Sequence, residues 1–491
     1  MRQFNILMVV VDSVKATALP VYGNPYCRTP NVERAAARGV TVSHCFGQMP
    51  KCVPNRSTML TGRYPHVDGL RALKGRLHPV GGTDLFLIPG DMPNVLPLLK
   101  EAGYELCHKG PNHLVTWDAY EEWFDVPMNW EAAEKCVSPP RTTDDPELIR
   151  AQYYGPVPED YDLELTKDAE PTRQMVEFLR DRDGGRPFFA YLDLRTPHPR
   201  YRDWPVFANH YAGLDLPPPP KMPLKEAPWT ERVYRETYDL ENMAPEKWSR
   251  IARAYLSGIS VADMLFGRVL DAVEQEGLSG DTVVMFTGDH GDFAGEHGCV
   301  EKHDPFLYDS LTRLPFIAVM PPGHPEGRFA ECMIEQIDLA PTLLELAGME
   351  VPRWVQGKSF LPVLSGESET HKDAVFAQGG VEREAIERNR LLDERELYGR
   401  TTTQYDVKQK VILDEPDFMM RARMVRTRRY KYIYRLNGRH EFYDLEEDPA
   451  ELRTQVDNPR YADAIANLRE RLLHWMVESE TNLPLLKGAY S

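Results

Sequence analysis

Residues 4–12 read Phe4-Asn5-Ile6-Leu7-Met8-Val9-Val10-Val11-Asp12. A nearly unbroken apolar run rich in β-branched residues is the pattern of a strand covered on both faces, as in a parallel sheet flanked by helices. The run ends in a carboxylate. Ligands of open α/β sheets collect outside the carboxyl ends of the strands, so Asp12 is a candidate metal ligand. Two later stretches share the design. Pro187-Phe188-Phe189-Ala190-Tyr191-Leu192-Asp193-Leu194 leads to Thr196-Pro197-His198-Pro199, and Thr282-Val283-Val284-Met285-Phe286-Thr287 delivers Gly288-Asp289-His290-Gly291. Proline on each side of His198 holds the backbone extended and fixes where the ring points. Imidazole suits proton transfer near neutral pH. An Asp oxygen and a His nitrogen at consecutive positions can face one ion only in a tight turn, which Gly288 and Gly291 allow.

The stretch Cys52-Val53-Pro54-Asn55-Arg56-Ser57-Thr58-Met59-Leu60-Thr61-Gly62-Arg63 reads as a reactive residue on a turn feeding a helix. Pro54 suits the first turn, where its missing N–H costs nothing. The free N–H groups and positive dipole end there favour an anion at Cys52, and Arg56 adds a permanent charge.

Between these motifs, helical spacing is expected over Leu96–Glu101, Glu170–Arg182 and Glu246–Glu276, the last ending at Gly277. Residues 115–168 are irregular and rich in Trp, Pro and acidic side chains, as in a lid or pocket insertion. Residues 204–245, with four consecutive prolines at 217–220, read as a stiff linker or pocket wall. The densely charged stretch 381–396 suits a solvated helix or the arm of a homo-oligomer. Alternation over 424–427, 430–434 and 442–445 indicates paired strands, followed by a helix over 461–478. The expected fold is α/β: a large, mostly parallel central sheet flanked by helices over residues 1–370, then a smaller carboxyl-terminal domain of antiparallel sheet plus helix over 371–491, carrying the charged insertion.

The chain has 491 residues and a formal charge of −17. That balance excludes a general nucleic-acid binder, which needs a basic surface, and obliges an anionic substrate to find a local cationic pocket. No apolar run is long enough to span a bilayer, and residues 1–11 read as a strand, not a signal peptide. Seven scattered cysteines without metal-finger spacing indicate reduced thiols and a cytoplasmic location.

Taken together, Cys52-x-Pro54-x-Arg56, the Leu60-Thr61-Gly62-Arg63 tail, Gly103-Tyr104, Gly110 with His113, Pro197-His198, Asp289-His290-Gly291 and Lys302 resemble the formylglycine-dependent sulfatases of the alkaline phosphatase superfamily. The resemblance runs from Asn5 to about Glu478. It implies an alkaline phosphatase-like fold and hydrolysis of sulfate monoesters to an alcohol and inorganic sulfate. It also implies that Cys52 is oxidised to formylglycine by a formylglycine-generating enzyme, and that the hydrated aldehyde attacks sulfur. Asp12, Asp289, His290 and position 52 would hold one divalent metal, with Asn55 or Ser13 as extra oxygens. Ca²⁺ suits such an oxygen-rich site, with Mn²⁺ as the rival. Arg56 would steady the diol, Lys302 and His113 would bind sulfate oxygens, and His198 would protonate the leaving oxygen. Three departures stand out: Asn55 where the family has a small residue, Asp12-Ser13 where it has two Asp, and Pro111 where it has lysine, leaving Lys109 as a shifted substitute. The single Asp and absent lysine also resemble the phosphonate monoester and phosphodiester hydrolase branch. A catalytically silent anion-binding homologue is the reading from outside enzymology. The alcohol carried by the sulfate, a small molecule or a saccharide, is not readable.

Overall fold

The run that opens the chain forms β1 (Asn5–Val11), and every one of its seven residues is buried. Such a strand needs neighbours on both edges and helices on both faces. A computed structural model, which describes residues 3–70, 87–381, 411 and 414–480, supplies them. The other long strands of its sheet are β2 (Val40–Phe46), β3 (Glu105–Lys109), β4 (Phe188–Leu194), β5 (Thr282–Gly288), β6 (Phe316–Val319) and β7 (Arg328–Glu335). Their order is β7-β2-β6-β5-β1-β4-β3, and an eighth short strand, Arg313–Leu314, pairs with β2. Only β6 and the short strand run against the rest. The mostly parallel sheet expected from the apolar runs is therefore present.

Helix α1 (Cys52–Thr61) starts at the cysteine itself, two residues before Pro54, and all ten of its residues are buried. The chain leaves it through Gly62 at φ 63°. A side chain there would meet both Val355 and Ala340, so glycine serves conformation and close packing together. The long helix α2 (Pro245–Gln275) buries the predicted apolar stripe, including Ile251, Tyr255, Ile259 and Leu265. The expected irregular insertion is partly ordered into short helices at Trp117–Trp123, Trp130–Glu134 and Pro146–Arg150. The expected linker likewise contains a helix, Trp229–Thr237. Helices of five to nine residues span too few turns for an apolar period to be read in advance.

A second sheet, β8 (Val375–Gly379), β9 (Ala422–Arg426), β10 (Tyr430–Arg435) and β11 (Glu441–Asp444), is wholly antiparallel. Helix α3 (Ala462–Ser479) packs on it through Leu468, Leu472 and Trp475. Buried charge ties the second sheet to the short helix Asp309–Thr312: Lys431 Nζ of β10 lies 2.6 Å from Asp309 and 2.5 Å from Glu451. Of the charged stretch 381–396, all but Val381 lies outside the described residues. No described helix is long and apolar enough to cross a membrane.

Candidate active site

Register places the site. Val11 sits opposite Leu194 on one side and Gly288 on the other. Parallel strands lie about 4.8 Å apart, so the chain exits after β1, β4 and β5 stand side by side. Asp12 and the pair Asp289-His290 leave from two of them, and the first turn of α1 brings Cys52 against both. Ligand atoms of Asp12, Cys52, Asp289 and His290 all lie within 4.8 Å of one another, every residue buried. His290 Nε2 is 3.1 Å from Cys52 Sγ and 3.4 Å from Asp12 Oδ1. Its Nδ1 donates to the Gly291 carbonyl at 2.9 Å, which leaves the Nε2 lone pair facing the cluster. Two carboxylates and an aimed imidazole, closed off from water, form a donor set that fits one divalent cation.

Ser13 does not extend that set. Its hydroxyl donates to Asp12 Oδ1 at 3.0 Å and its N–H to Asp289 Oδ1 at 3.1 Å. The expectation of Asn55 as a metal oxygen fails for a similar reason. Asn55 Oδ1 accepts from Gln48 N at 2.7 Å, while its Nδ2 donates to the Asp289 carbonyl and to Gln336 Oε1. Gln336 in turn donates to the Gly288 carbonyl. The amide thus braces α1 against the loop that carries two of the cluster's four donors. Asn55→Ala strands these buried partners, a loss of about 2–3 kcal/mol. Urea unfolding of the variant tests this, and an unchanged midpoint would refute the brace.

Arg56 is fully buried among three carboxylates: Nε donates to Asp289 at 2.8 Å, Nη2 lies 3.6 Å from Asp12, and Nη1 pairs with Asp193. Asp193 is a site residue the sequence reading passed over. Burial pushes its carboxyl up to about 7 against the pull of Arg56. Its one advance signal was an acid inside the otherwise apolar β4.

Lys302 and His198 meet directly, Nζ to Nε2 at 2.5 Å. His198 Nδ1 lies 2.7 Å from the Pro199 carbonyl, so that nitrogen carries the ring proton and Nε2 accepts from the ammonium. Burial and the Lys302 charge hold His198 down at about 4. The resting imidazole is therefore neutral and has no proton at Nε2 to give. The residue expected to protonate the leaving oxygen is thus set with its Nε2 against the Lys302 ammonium, which donates to it. His113 feels Arg56, Asp12 and Asp289, and burial lowers it to about 4. Lys109 is not brought to this cluster. Alternation along β3 sets it on the face opposite His108, and its ammonium donates to the Pro127 carbonyl at 2.6 Å.

Burial alone would push the Asp12 carboxyl up, but His198, Lys302, His290 and Arg56 hold it well below the ordinary range. The Cys52 thiol is driven well above its ordinary value by burial and by Asp12. An unmodified thiol there stays protonated at neutral pH and is a weak nucleophile.

Elsewhere burial lowers His44 and His108 to about 3. Below the ordinary 6.5, the unfolded chain takes up protons that these folded rings refuse. Stability therefore falls as pH drops from 6.5 toward the folded values, and the melting temperature at about pH 5 should lie below that at about pH 7. Equal melting temperatures would contradict the buried neutral rings.

The family model described as Sulfatase matches residues 4–349. N-acetylglucosamine-6-O-sulfatase of Bacteroides thetaiotaomicron is 23% identical over 98% of this chain and 87% of its own length. Among solved structures, phosphonate monoester hydrolase of Agrobacterium radiobacter superposes with a TM-score of 0.75 at 21% identity, covering 97% of this chain and 96% of that one. A structure solved in complex with its substrate D-glucosamine-2-N,6-O-disulfate gives 0.70 at 21% identity, covering 99% and 100%.

Proposed function

The chain belongs to the sulfatase family and is a sulfuric ester hydrolase, and from that premise we propose that it releases sulfate from a saccharide ester at the cluster around position 52. The observation that carries this reading is the convergence of Asp12, Cys52, Asp289 and His290 within 4.8 Å, beside the Lys302–His198 pair. The sulfated-sugar activity named for the Bacteroides relative supports the saccharide.

Formylglycine at position 52, once hydrated, supplies a hydroxyl nucleophile and a second hydroxyl for shedding sulfate; a divalent cation supplies charge neutralisation. Asp12, Asp289 and His290 would hold that cation. The two carboxylates favour Ca²⁺; the imidazole, with Ser13 committed to Asp12, admits Mn²⁺. Arg56 fixes both carboxylates from behind. Lys302 would offset the charge of the sulfate oxygens, which an otherwise acidic chain must do locally, and the neutral His113 would donate a hydrogen bond to them. As the bond from sulfur to the bridging oxygen breaks, its electron pair stays on that oxygen, and the proton shared by Lys302 Nζ and His198 Nε2 moves onto it. The six cysteines other than Cys52 are free thiols, which supports a cytoplasmic location.

The test compares kcat/KM for sulfated monosaccharides, 4-nitrophenyl sulfate and phenyl phosphonate monoester, using protein matured with a formylglycine-generating enzyme and loaded with Ca²⁺ or Mn²⁺. Sulfated sugars should lead. Preference for the phosphonate would instead support the second reading, a phosphonate monoester hydrolase, which the single Asp beside Ser13 favours.

A further inference from the structure

We propose that Tyr201 is the positioning residue for the leaving-group proton, its hydroxyl tying together the three loops that carry His198, Lys302 and the Asp289-His290 pair. The proposal rests on the reading that the Lys302–His198 pair protonates the departing oxygen. Tyr201 lies three residues beyond His198, on a short strand, Tyr201–Asp203, that pairs with Tyr153–Pro156. Its backbone N–H donates to the Gln152 carbonyl at 2.8 Å, and its ring packs edge-on against Tyr255 of α2 with centroids 6.2 Å apart. The ring is 2% exposed, so the hydroxyl has one fixed position.

That hydroxyl makes two bonds of opposite sense. It donates to Asp292 Oδ1, two residues beyond His290, and accepts from the backbone N–H of Glu301 at 2.9 Å. Asp292 Oδ1 also takes the Ala294 N–H at 2.8 Å, which fixes the acceptor. Glu301 sits at φ 61°, in the left-handed region that a side chain other than glycine occupies only when its surroundings hold it there. The holding groups are visible. Tyr201 grips the Glu301 N–H, and the Phe293 N–H grips the Glu301 carbonyl at 3.1 Å.

Lys302 is the next residue, and the direction of its ammonium follows from this turn. Without the Tyr201 hydroxyl one grip is lost and the turn can relax toward ordinary backbone angles. The 2.5 Å contact from Lys302 Nζ to His198 Nε2 then lengthens. His198 stands three residues before the tyrosine on the same segment, its own N–H bound to the Arg195 carbonyl at 2.7 Å, so the hydroxyl acts on the pair through Lys302.

The experiment measures kcat and KM of the matured, metal-loaded Tyr201→Phe enzyme with 4-nitrophenyl sulfate, whose phenol leaves with little help, and phenyl sulfate, whose phenol needs a proton. General acids contribute about 10²–10⁴-fold, so partial misplacement should cut kcat on phenyl sulfate by about 30-fold and on 4-nitrophenyl sulfate by about threefold or less, with KM nearly unchanged. A purely structural role would depress both substrates equally. His198→Ala is assayed beside it. Bias in both variants supports the proposal. Bias in His198→Ala alone overturns the role of Tyr201 and leaves the reading of the pair intact. No bias in His198→Ala overturns that reading and the proposal with it. Should Tyr201→Phe not be recovered folded, Asp292→Asn weakens the same knot by replacing the carboxyl that accepts from both Tyr201 and Ala294 with an amide. The same bias in smaller measure is then expected, and its absence counts against the proposal.

Discussion

Cys52→Ala should lower sulfate-ester turnover by on the order of 10⁴-fold or more while leaving the fold in place. The activity side follows from the cluster. Asp12, Asp289, His290, Lys302 and Arg56 all act on position 52, and removing the group they serve leaves positioned charges with nothing to activate. The folding side follows from size and contacts. The Cys52 side chain is small, its recorded polar partners are Asp12 and His290, and α1 is held by other residues, notably Asn55 and Arg56. Circular dichroism and a thermal melt beside the sulfate-release assay decide both halves. A variant that keeps turnover would remove position 52 from the mechanism. The mass of the tryptic peptide containing residue 52, from protein matured with the modifying enzyme, gives the complementary result: conversion of the thiol to an aldehyde in the parent.

Arg56→Ala carries the largest expected effect on stability. Its guanidinium is the shared partner of Asp12, Asp193 and Asp289, and guanidinium and carboxylates alike are buried. Removing one member of a buried ion group leaves uncompensated charge and typically costs about 3–5 kcal/mol. Asp193 suffers most, because burial already pushes its carboxyl up to about 7 with the arginine present. Arg56→Lys should recover only part of the loss, since a single ammonium cannot reproduce a planar fork that reaches three acids. The measurement is the urea midpoint of the parent and both variants. Equal midpoints would show that the arginine is not what keeps the acids together. Added Ca²⁺ should narrow the gap for Arg56→Ala, because a cation held by Asp12 and Asp289 replaces part of the missing charge.

Much of this was legible in the chain because it is local. Strands β1, β4 and β5 announce themselves by apolar runs, and each hands a reactive residue to the same sheet edge by the geometry of parallel pairing alone. Cys52, Arg56 and Asp289-His290 came from short motifs whose residues lie on one turn. The reading lost precision wherever a side chain's job depends on a partner far along the chain. Lys109 stood, by resemblance, as a shifted substitute for the lysine missing at Pro111, yet the alternation of β3 and the carbonyl of Pro127 send it elsewhere. Asn55 looked like a spare metal oxygen, yet its amide bonds to groups 234 and 281 residues away.

The class of fold, the edge of the sheet where chemistry gathers and most of the residues that gather there were therefore readable from the chain. These depend on periodicity and on motifs a few residues long. Tertiary structure alone decided that Arg56 bridges three acids, that His198 is neutral with its Nε2 turned to Lys302, and that Tyr201 joins Asp292 to Glu301. The reason is physical. A buried charge or hydroxyl is defined by the partners that replace its water, and those partners are chosen by packing between strands and loops a hundred or more residues apart.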